Sequence, residues 1–322
     1  MTIKLVMLQP YVYAERVWLD RLRKDLPDFS IVLTENTEEA EREIVDADAA
    51  YGTLPAAILR KAQRLRWLQA HKSAPPAGYY YPELTAHPVV VTNFREIYND
   101  HIGTHVMMFV LAFARGLHYY MAPQLNREWR PLPIGQGVLH LPNTTALIIG
   151  VGGVGAETAR LAAQFGIRVV GVDARRNDVP PGVSEMHRPD KMDELLPQAD
   201  FVILTVPHTP ATEFFFNRAR FQRMKKSAFF VNVGRGKTTR LLDLAAALKA
   251  GELAGAGLDV FEFDPLPGDH PLWTMPGVIL TPHTAGYGPY LNDRRYDILL
   301  DNCRRFAAGQ PLHNIVDKKN WF

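Results

Sequence analysis

The stretch TALIIGVGGVGAETARLAAQFGIRVVGVD, residues 145–173, constrains the fold more tightly than any other part of the chain. An apolar run that reads as a strand ends in G-x-G-x-x-G, formed by Gly150, Gly152 and Gly155. A helical stretch follows, and then a second strand closing on Asp173, eighteen residues beyond Gly155. The three glycines meet three physical needs: a tight first turn, close backbone approach to a pyrophosphate, and a helix packed hard on its sheet. The start of that helix offers free N–H groups and a positive dipole end to phosphates. Asp173 is placed to accept hydrogen bonds from ribose hydroxyls. A carboxylate there favours NAD, because the 2′-phosphate of NADP would sit against it. Arg175 and Arg176 follow at once, and an arginine there can accommodate that phosphate, so NADP remains the alternative.

The rest of the chain repeats this alternation. Residues 1–98 read as strand IKLVML, helix VWLDRLRKDL, strand SIVLT, helix EEAEREIVD, strand DAAYGT, helix PAAILRKAQ and strand LRWLQAHK. Strands separated by helices in this order predict parallel sheets. SAPPAGYYYPEL is a Pro- and Tyr-rich loop. One broad apolar helix is expected from Asp100 to about Met121, buried on more than one side, with Met107, Met108 and Phe109 as core. A second alternating series runs from Thr145 to His283, and an amphipathic helix closes the chain near Gly309.

At 322 residues two domains are expected. A formal net charge of +2 without a basic block argues against nucleic acid as partner. The single cysteine, Cys303, excludes a disulfide framework and a thiol-based zinc site, and fits a reducing compartment. The N-terminus lacks the long apolar core of a secretory signal, and no run approaches bilayer-spanning length. The expectation is a cytoplasmic protein with no membrane partner.

Three later strands each end in a polar group: FFVNVGRG in Arg235, GAGLDVFEFDPLPGDH in a group of acids, and VILTPHTAG in His283. Ligands of open α/β sheets bind beyond the carboxyl ends of the strands, so these residues converge where a nicotinamide would lie. Arg235 offers a rigid fork for a carboxylate or polarised carbonyl. His283 is the natural proton donor or acceptor near neutral pH. A carboxylate against it would fix its tautomer. His101 and His105 share one helix face at a spacing that can bind zinc, but no third ligand is evident and packing is the better reading. No metal is expected.

With these motifs in order (NFREIYNDHIGTHVMMFVLAFARGL, GVGGVG, VPHTPAT, NVGRG, GAGLDVFEFDPLP and LTPHTAG) the sequence resembles the D-isomer-specific 2-hydroxyacid dehydrogenases over nearly its whole length. Its closing segment DNCRRFAAGQPLHNIVDK is similar to that of the glyoxylate/hydroxypyruvate-reductase-like members. The resemblance implies an α/β chain of two Rossmann-like lobes, doubly wound parallel sheets with a cleft between them. Residues 1–98 plus 289–322 would form the substrate domain, and 99–288 the dinucleotide-binding domain. It implies a homodimer joined through the cofactor lobe, which would account for the broad apolar helix. It implies cofactor contacts at Gly153, Val154, Val206, Pro207, Val233, Gly234, Asp259 and Gly286. Arg235 matches the substrate-orienting arginine and His283 the acid/base.

The carboxylate that partners the histidine is usually Glu in this family, and here its position holds Asp264. The loss of one methylene removes roughly 1.5 Å of reach. Asp264 is the expected partner, Glu262 the alternative, and Asp269 faces solvent. Formate dehydrogenases of the superfamily carry Gln at this position, so an acid argues against formate. The substrate turn also departs from the family: Pro75 and Pro76 cannot donate, which leaves Ser73, Ala77 and Gly78 to hold the substrate carboxylate. Tyr79–Tyr81 either pack beneath the lobe or shape an aromatic-accepting pocket. The implied activity is hydride transfer between NAD(P) and C2 of a small 2-oxo or 2-hydroxy acid. A redox-sensing binding protein on the same fold is the alternative, and a dehydrogenase of an inorganic or phosphorylated substrate ranks below both.

Overall fold

A computed structural model of the chain describes residues 2–9, 13–73 and 78–319. The chain divides into two compact units, Met1–Ile97 with Pro289–Phe322, and Tyr98–Gly288.

The first unit carries β1 (Ile3–Met7), α1 (Tyr13–Asp25), β2 (Phe29–Leu33), α2 (Thr37–Glu43), β3 (Ala49–Tyr51), α3 (Ala56–Leu59), β4 (Trp67–Gln69), α4 (Pro82–Ala86) and β5 (Val90–Thr92). Its five strands are parallel in the order β2-β1-β3-β4-β5. The chain returns to this unit with the helix Leu291–Ala307, whose Tyr296 ring meets Trp18 edge-on at 6.0 Å. The strand β5 was not apparent in the sequence, where three valines follow a proline in a short polar context. It is completed from the other end of the chain: Val316 N donates to Val91 O at 2.8 Å.

The second unit opens with α5 (Asn99–Ala114) and α6 (Leu117–Leu125). The single helix expected over this span is therefore two. Gly116 sits in the left-handed region at φ +71° and its N–H closes on Phe113 O, which ends α5 and redirects the chain. Val106, Phe109, Val110 and Phe113 form the buried stripe of α5 at helical spacing. Met108 is 42% exposed, contrary to the expectation that it is core, because it falls outside that stripe.

Beyond them lie β6 (Thr145–Ile149), α7 (Gly153–Gln164), β7 (Arg168–Val172), β8 (Glu185–His187), α8 (Met192–Leu195), β9 (Phe201–Leu204), α9 (Arg218–Phe221), β10 (Phe229–Asn232), α10 (Leu241–Lys249), β11 (Gly255–Leu258) and β12 (Val278–Leu280). Seven parallel strands run β12-β11-β10-β9-β6-β7-β8. Because side chains alternate along a strand, Ala146 and Ile148 enter one apolar layer while Leu147 and Ile149 enter the other. Both faces are covered, so the strands read as continuous apolar runs. Phe113 of α5 stacks on Phe229 at 4.5 Å, and the Phe109 ring occupies the space a side chain at Gly257 would need. Strand order reverses between β6 and β9, and it is at such a reversal that α/β sheets open a crevice beyond the strand ends.

Candidate functional site

The end of β6 lies at that reversal, and each glycine there has its own reason. Gly150 takes φ +97°, and a Cβ on it would stand 2.8 Å from Val206 Cγ1, two residues beyond β9. A Cβ on Gly155 would collide with Gly150 O at 2.1 Å, so α7 can press onto the turn only with a bare glycine. A Cβ on Gly153 would meet the Asn99 amide at 2.5 Å. Gly152 differs: a Cβ there would meet nothing within 4 Å. No side chain caps α7 at this residue. Open space beside uncapped helix N–H groups suits an anion such as a pyrophosphate by charge.

Asp173 braces the same turn. Its Oδ2 accepts from Val151 N at 2.8 Å, and its Oδ1 from Arg175 N at 2.7 Å and Arg176 N at 2.9 Å. Oδ1 is fully engaged by its two donors, while Oδ2 keeps a free lone pair for a ribose hydroxyl. Arg176 pairs with Asp178 at 3.4 Å. Val206 and Pro207 lead into a loop tied down by Thr212, whose hydroxyl donates to Pro207 O at 2.7 Å and accepts from Thr209 N at 2.8 Å.

Arg235 follows β10. The buried Asn232 organises this turn, accepting from Gly234 N at 3.0 Å and donating to Thr239 Oγ1 at 3.1 Å. A Cβ on Gly234 would lie 2.6 Å from Val206 O, and one on Gly236 would lie 1.6 Å from Phe261 O. These contacts lock the arginine turn against the loop that follows β11. Arg235 Nη1 donates to Gly234 O at 2.6 Å. Burial pulls its guanidinium below the usual arginine range, and the nearby Asp264 carboxylate acts in the opposite sense.

The four acids of the stretch after β11 separate by contact. Asp264 Oδ2 lies 2.7 Å from His283 Nδ1. Glu262 points elsewhere: its Oε2 accepts from Leu241 N at 3.3 Å, at the start of α10, where a helix favours negative charge. Asp269 is exposed. Asp259 is 1% exposed and accepts from Thr281 Oγ1 at 2.6 Å, Thr284 N at 2.8 Å and Ala285 N at 2.9 Å. Its carboxylate therefore closes the loop that carries His283, a job that nothing in its sequence position announced. His105 on α5, read from the sequence as packing, joins the same group through a 2.9 Å contact between Nε2 and Thr281 Oγ1. The available signal was a histidine on the buried side of an apolar helix, which must find a polar partner. Gly286 packs under Tyr98, where a Cβ would stand 3.3 Å from the ring.

In the first unit, Ser73 donates its hydroxyl to Phe94 O, and its carbonyl accepts from Asn93 Nδ2 at 2.9 Å. Gly78 is exposed with φ +86°, while Ala77 with Pro75 and Pro76 lies outside the described residues. Tyr79 and Tyr81 donate to Gly52 O and Leu54 O at 2.7 and 2.8 Å, which makes them packing struts for the loop. Among the described residues no group of three or more His, Cys, Asp and Glu could hold a metal, and no helix is long and apolar enough to cross a membrane.

A parallel sheet with an open glycine turn at its reversal, and a histidine–carboxylate pair beyond the neighbouring strands, defines a dinucleotide-dependent oxidoreductase. The comparisons with known proteins agree. The sequence pattern of the D-isomer specific 2-hydroxyacid dehydrogenase, NAD binding domain, matches residues 107–285. The chain is 32% identical over 294 residues to glyoxylate/hydroxypyruvate reductase B of Citrobacter koseri, covering 88% of each. Among solved structures it is similar to a D-isomer specific 2-hydroxyacid dehydrogenase family protein of Aeromonas salmonicida, with TM-score 0.78, 31% identity, and coverage of 99% of this chain and 100% of that one. It is also similar to an NADPH-dependent glyoxylate/hydroxypyruvate reductase of Sinorhizobium meliloti in complex with NADP and sulfate, with TM-score 0.82, 26% identity and coverage of 99% and 100%. The chain belongs to the D-isomer specific 2-hydroxyacid dehydrogenase family, and is an oxidoreductase that works with a nicotinamide dinucleotide on small 2-hydroxy or 2-oxo acids.

Proposed function

We propose that the protein is a cytoplasmic, homodimeric reductase of glyoxylate, hydroxypyruvate or a similarly small 2-oxo acid, with NADH as its preferred reductant. The 2.7 Å contact between His283 and Asp264 carries the reading, because it supplies an oriented proton donor beside a half-buried arginine. A reduced nicotinamide, when bound, supplies a hydride to C2 of the substrate. Gly150, Gly152, Gly153, Val154 and Gly155 form the turn that would hold its pyrophosphate. Asp173 would hold the ribose, and Val206, Pro207, Val233, Gly234, Asp259 and Gly286 would border its nicotinamide half. Arg235 binds the substrate carboxylate and ketone oxygen, and its charge stabilises the alkoxide as it develops. Asp264 accepts Nδ1–H of His283, so that in its protonated form the imidazolium turns Nε2–H to the substrate, donates that proton to complete the hydroxyl, and is left as the neutral Nδ1–H form. Ser73, Ala77 and Gly78 would supply polar contacts from residues 1–98 and 289–322, the proposed substrate domain.

The carboxylate of Asp173 supports NADH, since a 2′-phosphate would face a negative charge held in place by three backbone N–H groups. Exposed Leu125 at the end of α6, with Trp129 and Ile134 beyond it, supports the homodimer, because covering such groups with a second chain removes apolar surface from water. A buried lone thiol at Cys303 fits a reducing compartment.

The test is spectrophotometric turnover with a panel of 2-oxo acids and both reduced dinucleotides. Oxidation of NADH at higher kcat/KM than NADPH, fastest with glyoxylate or hydroxypyruvate, is expected. Cofactor binding without turnover on any 2-oxo acid would instead favour the sensing alternative. For assembly, sedimentation of the wild type as a dimer and of Trp129→Asp as a monomer is expected, and a monomeric wild type would end the homodimer reading.

A further inference from the structure

The loop that carries His283 is held by a buried polar chain that begins on α5. His105 Nε2 lies 2.9 Å from Thr281 Oγ1, and Thr281 Oγ1 lies 2.6 Å from Asp259 Oδ1. A hydroxyl has one proton to give. The shorter contact, to a carboxylate, takes the Thr281 proton, so the longer one must be donated by His105 Nε2–H. The His105 ring is set edge-on to Phe109 at 5.1 Å, which fixes the direction of that N–H. Burial keeps the imidazole on the neutral side of its ordinary range, and the Asp259 carboxylate, 3.6 Å away, pulls the other way.

At the far end, Asp259 accepts the N–H groups of Thr284 and Ala285, the two residues immediately after His283. His283 N in turn donates to Thr281 O at 2.9 Å, and the residue sits at φ +56°. A non-glycine residue is uncommon in that left-handed region. Here both flanks of the residue are tied to one carboxylate. Asp264 is a short arm, with a single methylene between backbone and carboxyl. The alignment of their bond must therefore come from the histidine side.

We infer that His105 is a positioning residue for the reduction: through Thr281 and Asp259 it sets where the His283 imidazole stands relative to Asp264. This rests on the reading of His283 as proton donor. His105 does not touch substrate. Its contribution is to hold the threonine hydroxyl pointed at Asp259, and thereby to keep the 281–285 turn in one conformation. Loss of that donor frees the hydroxyl to rotate, the carboxylate loses its shortest partner, and the turn relaxes.

The experiment compares His105→Phe with His105→Gln, whose side-chain amide can still donate to Thr281. His105→Phe should lose kcat by on the order of ten- to a hundred-fold, the scale of a displaced catalytic group. KM for the 2-oxo acid and the dissociation constant for NADH should stay near wild type. His105→Gln should recover most of the loss. A readout independent of turnover is the tautomer of His283, read from side-chain 15N–1H spectra and assigned with His283→Gln. At a pH where the ring is neutral, wild type and His105→Gln should hold the Nδ1–H tautomer left after proton donation, whereas His105→Phe should show a mixture. Unchanged kcat and tautomer in His105→Phe would overturn the inference. So would equal losses in both variants accompanied by matching falls in Tm, because that pattern means damage to the fold alone. A wild type that holds His283 in one tautomer yet turns over no 2-oxo acid would sink the catalytic reading first, and the inference with it.

Discussion

His283 Nδ1 and Asp264 Oδ2 are 2.7 Å apart, although nineteen residues separate them in sequence and the acid is the shorter of the two carboxylic side chains. The bond holds one ring nitrogen and leaves the other for substrate. Asp264→Asn should therefore cost kcat/KM on the order of a hundredfold or more, because the amide can donate to Nδ1 and favour the opposite tautomer. Glu262→Gln should leave turnover within about threefold while lowering stability by roughly 0.5 kcal/mol, the scale of a charge at a helix start. Steady-state kinetics with parallel thermal melts checks both. The reverse pattern would transfer the histidine's partner to Glu262.

Arg235 sits half-buried in a turn built by Asn232, with one guanidinium nitrogen on Gly234 O. A lysine cannot reproduce the planar fork that grips a carboxylate and a ketone oxygen together. Arg235→Lys is expected to raise KM for the 2-oxo acid and lower kcat, with NADH affinity unchanged by fluorescence titration. Equal weakening of both ligands would place the arginine's role in the cofactor turn instead.

Gly150 and Gly152 should behave oppositely. Alanine at 150 meets a positive φ and Val206 at 2.8 Å, so Gly150→Ala should destabilise the second unit by about 1–3 kcal/mol. Alanine at 152 touches no protein atom within 4 Å, so Gly152→Ala should melt like the wild type yet bind NADH at least tenfold more weakly. Calorimetry and dinucleotide titration separate the two effects. Wild-type affinity in Gly152→Ala would move the phosphate site elsewhere.

Burial lowers the proton affinity of His71, His105 and His118 in the folded chain. Each is therefore neutral in the native state at a pH where the unfolded chain, titrating near 6.5, already takes up a proton. Below that value the unfolded state binds more protons, so stability is full above about pH 7 and falls as pH drops through 6.5. The melting temperature should decline across this window, and His118→Phe should flatten the decline. A Tm independent of pH between 7 and 5.5 would contradict it.

Much of the architecture is written in local pattern. Alternating apolar strands and helices, three glycines at fixed spacing and an acid at the next strand end are legible because each reflects a constraint within about thirty residues. The same holds for the polar groups past β10, β11 and β12, whose chemistry can be read from residue type alone. What local pattern could not decide is which of these groups touch. Asp259 and Asp264 are five residues apart and chemically alike, yet one turns inward to close the 281–285 turn and the other outward to His283. The break at Gly116 and the strand β5 completed by Val316 likewise depend on partners distant in sequence. His105 looked like packing from its own helix, and only the strand order that brings β12 beside β11, over α5, gives its N–H a hydroxyl to hold. Residue type and spacing determined the kind of site. The meeting of strand ends, set by sheet order and by the few buried hydrogen bonds that close the loops between them, decided which side chains compose it.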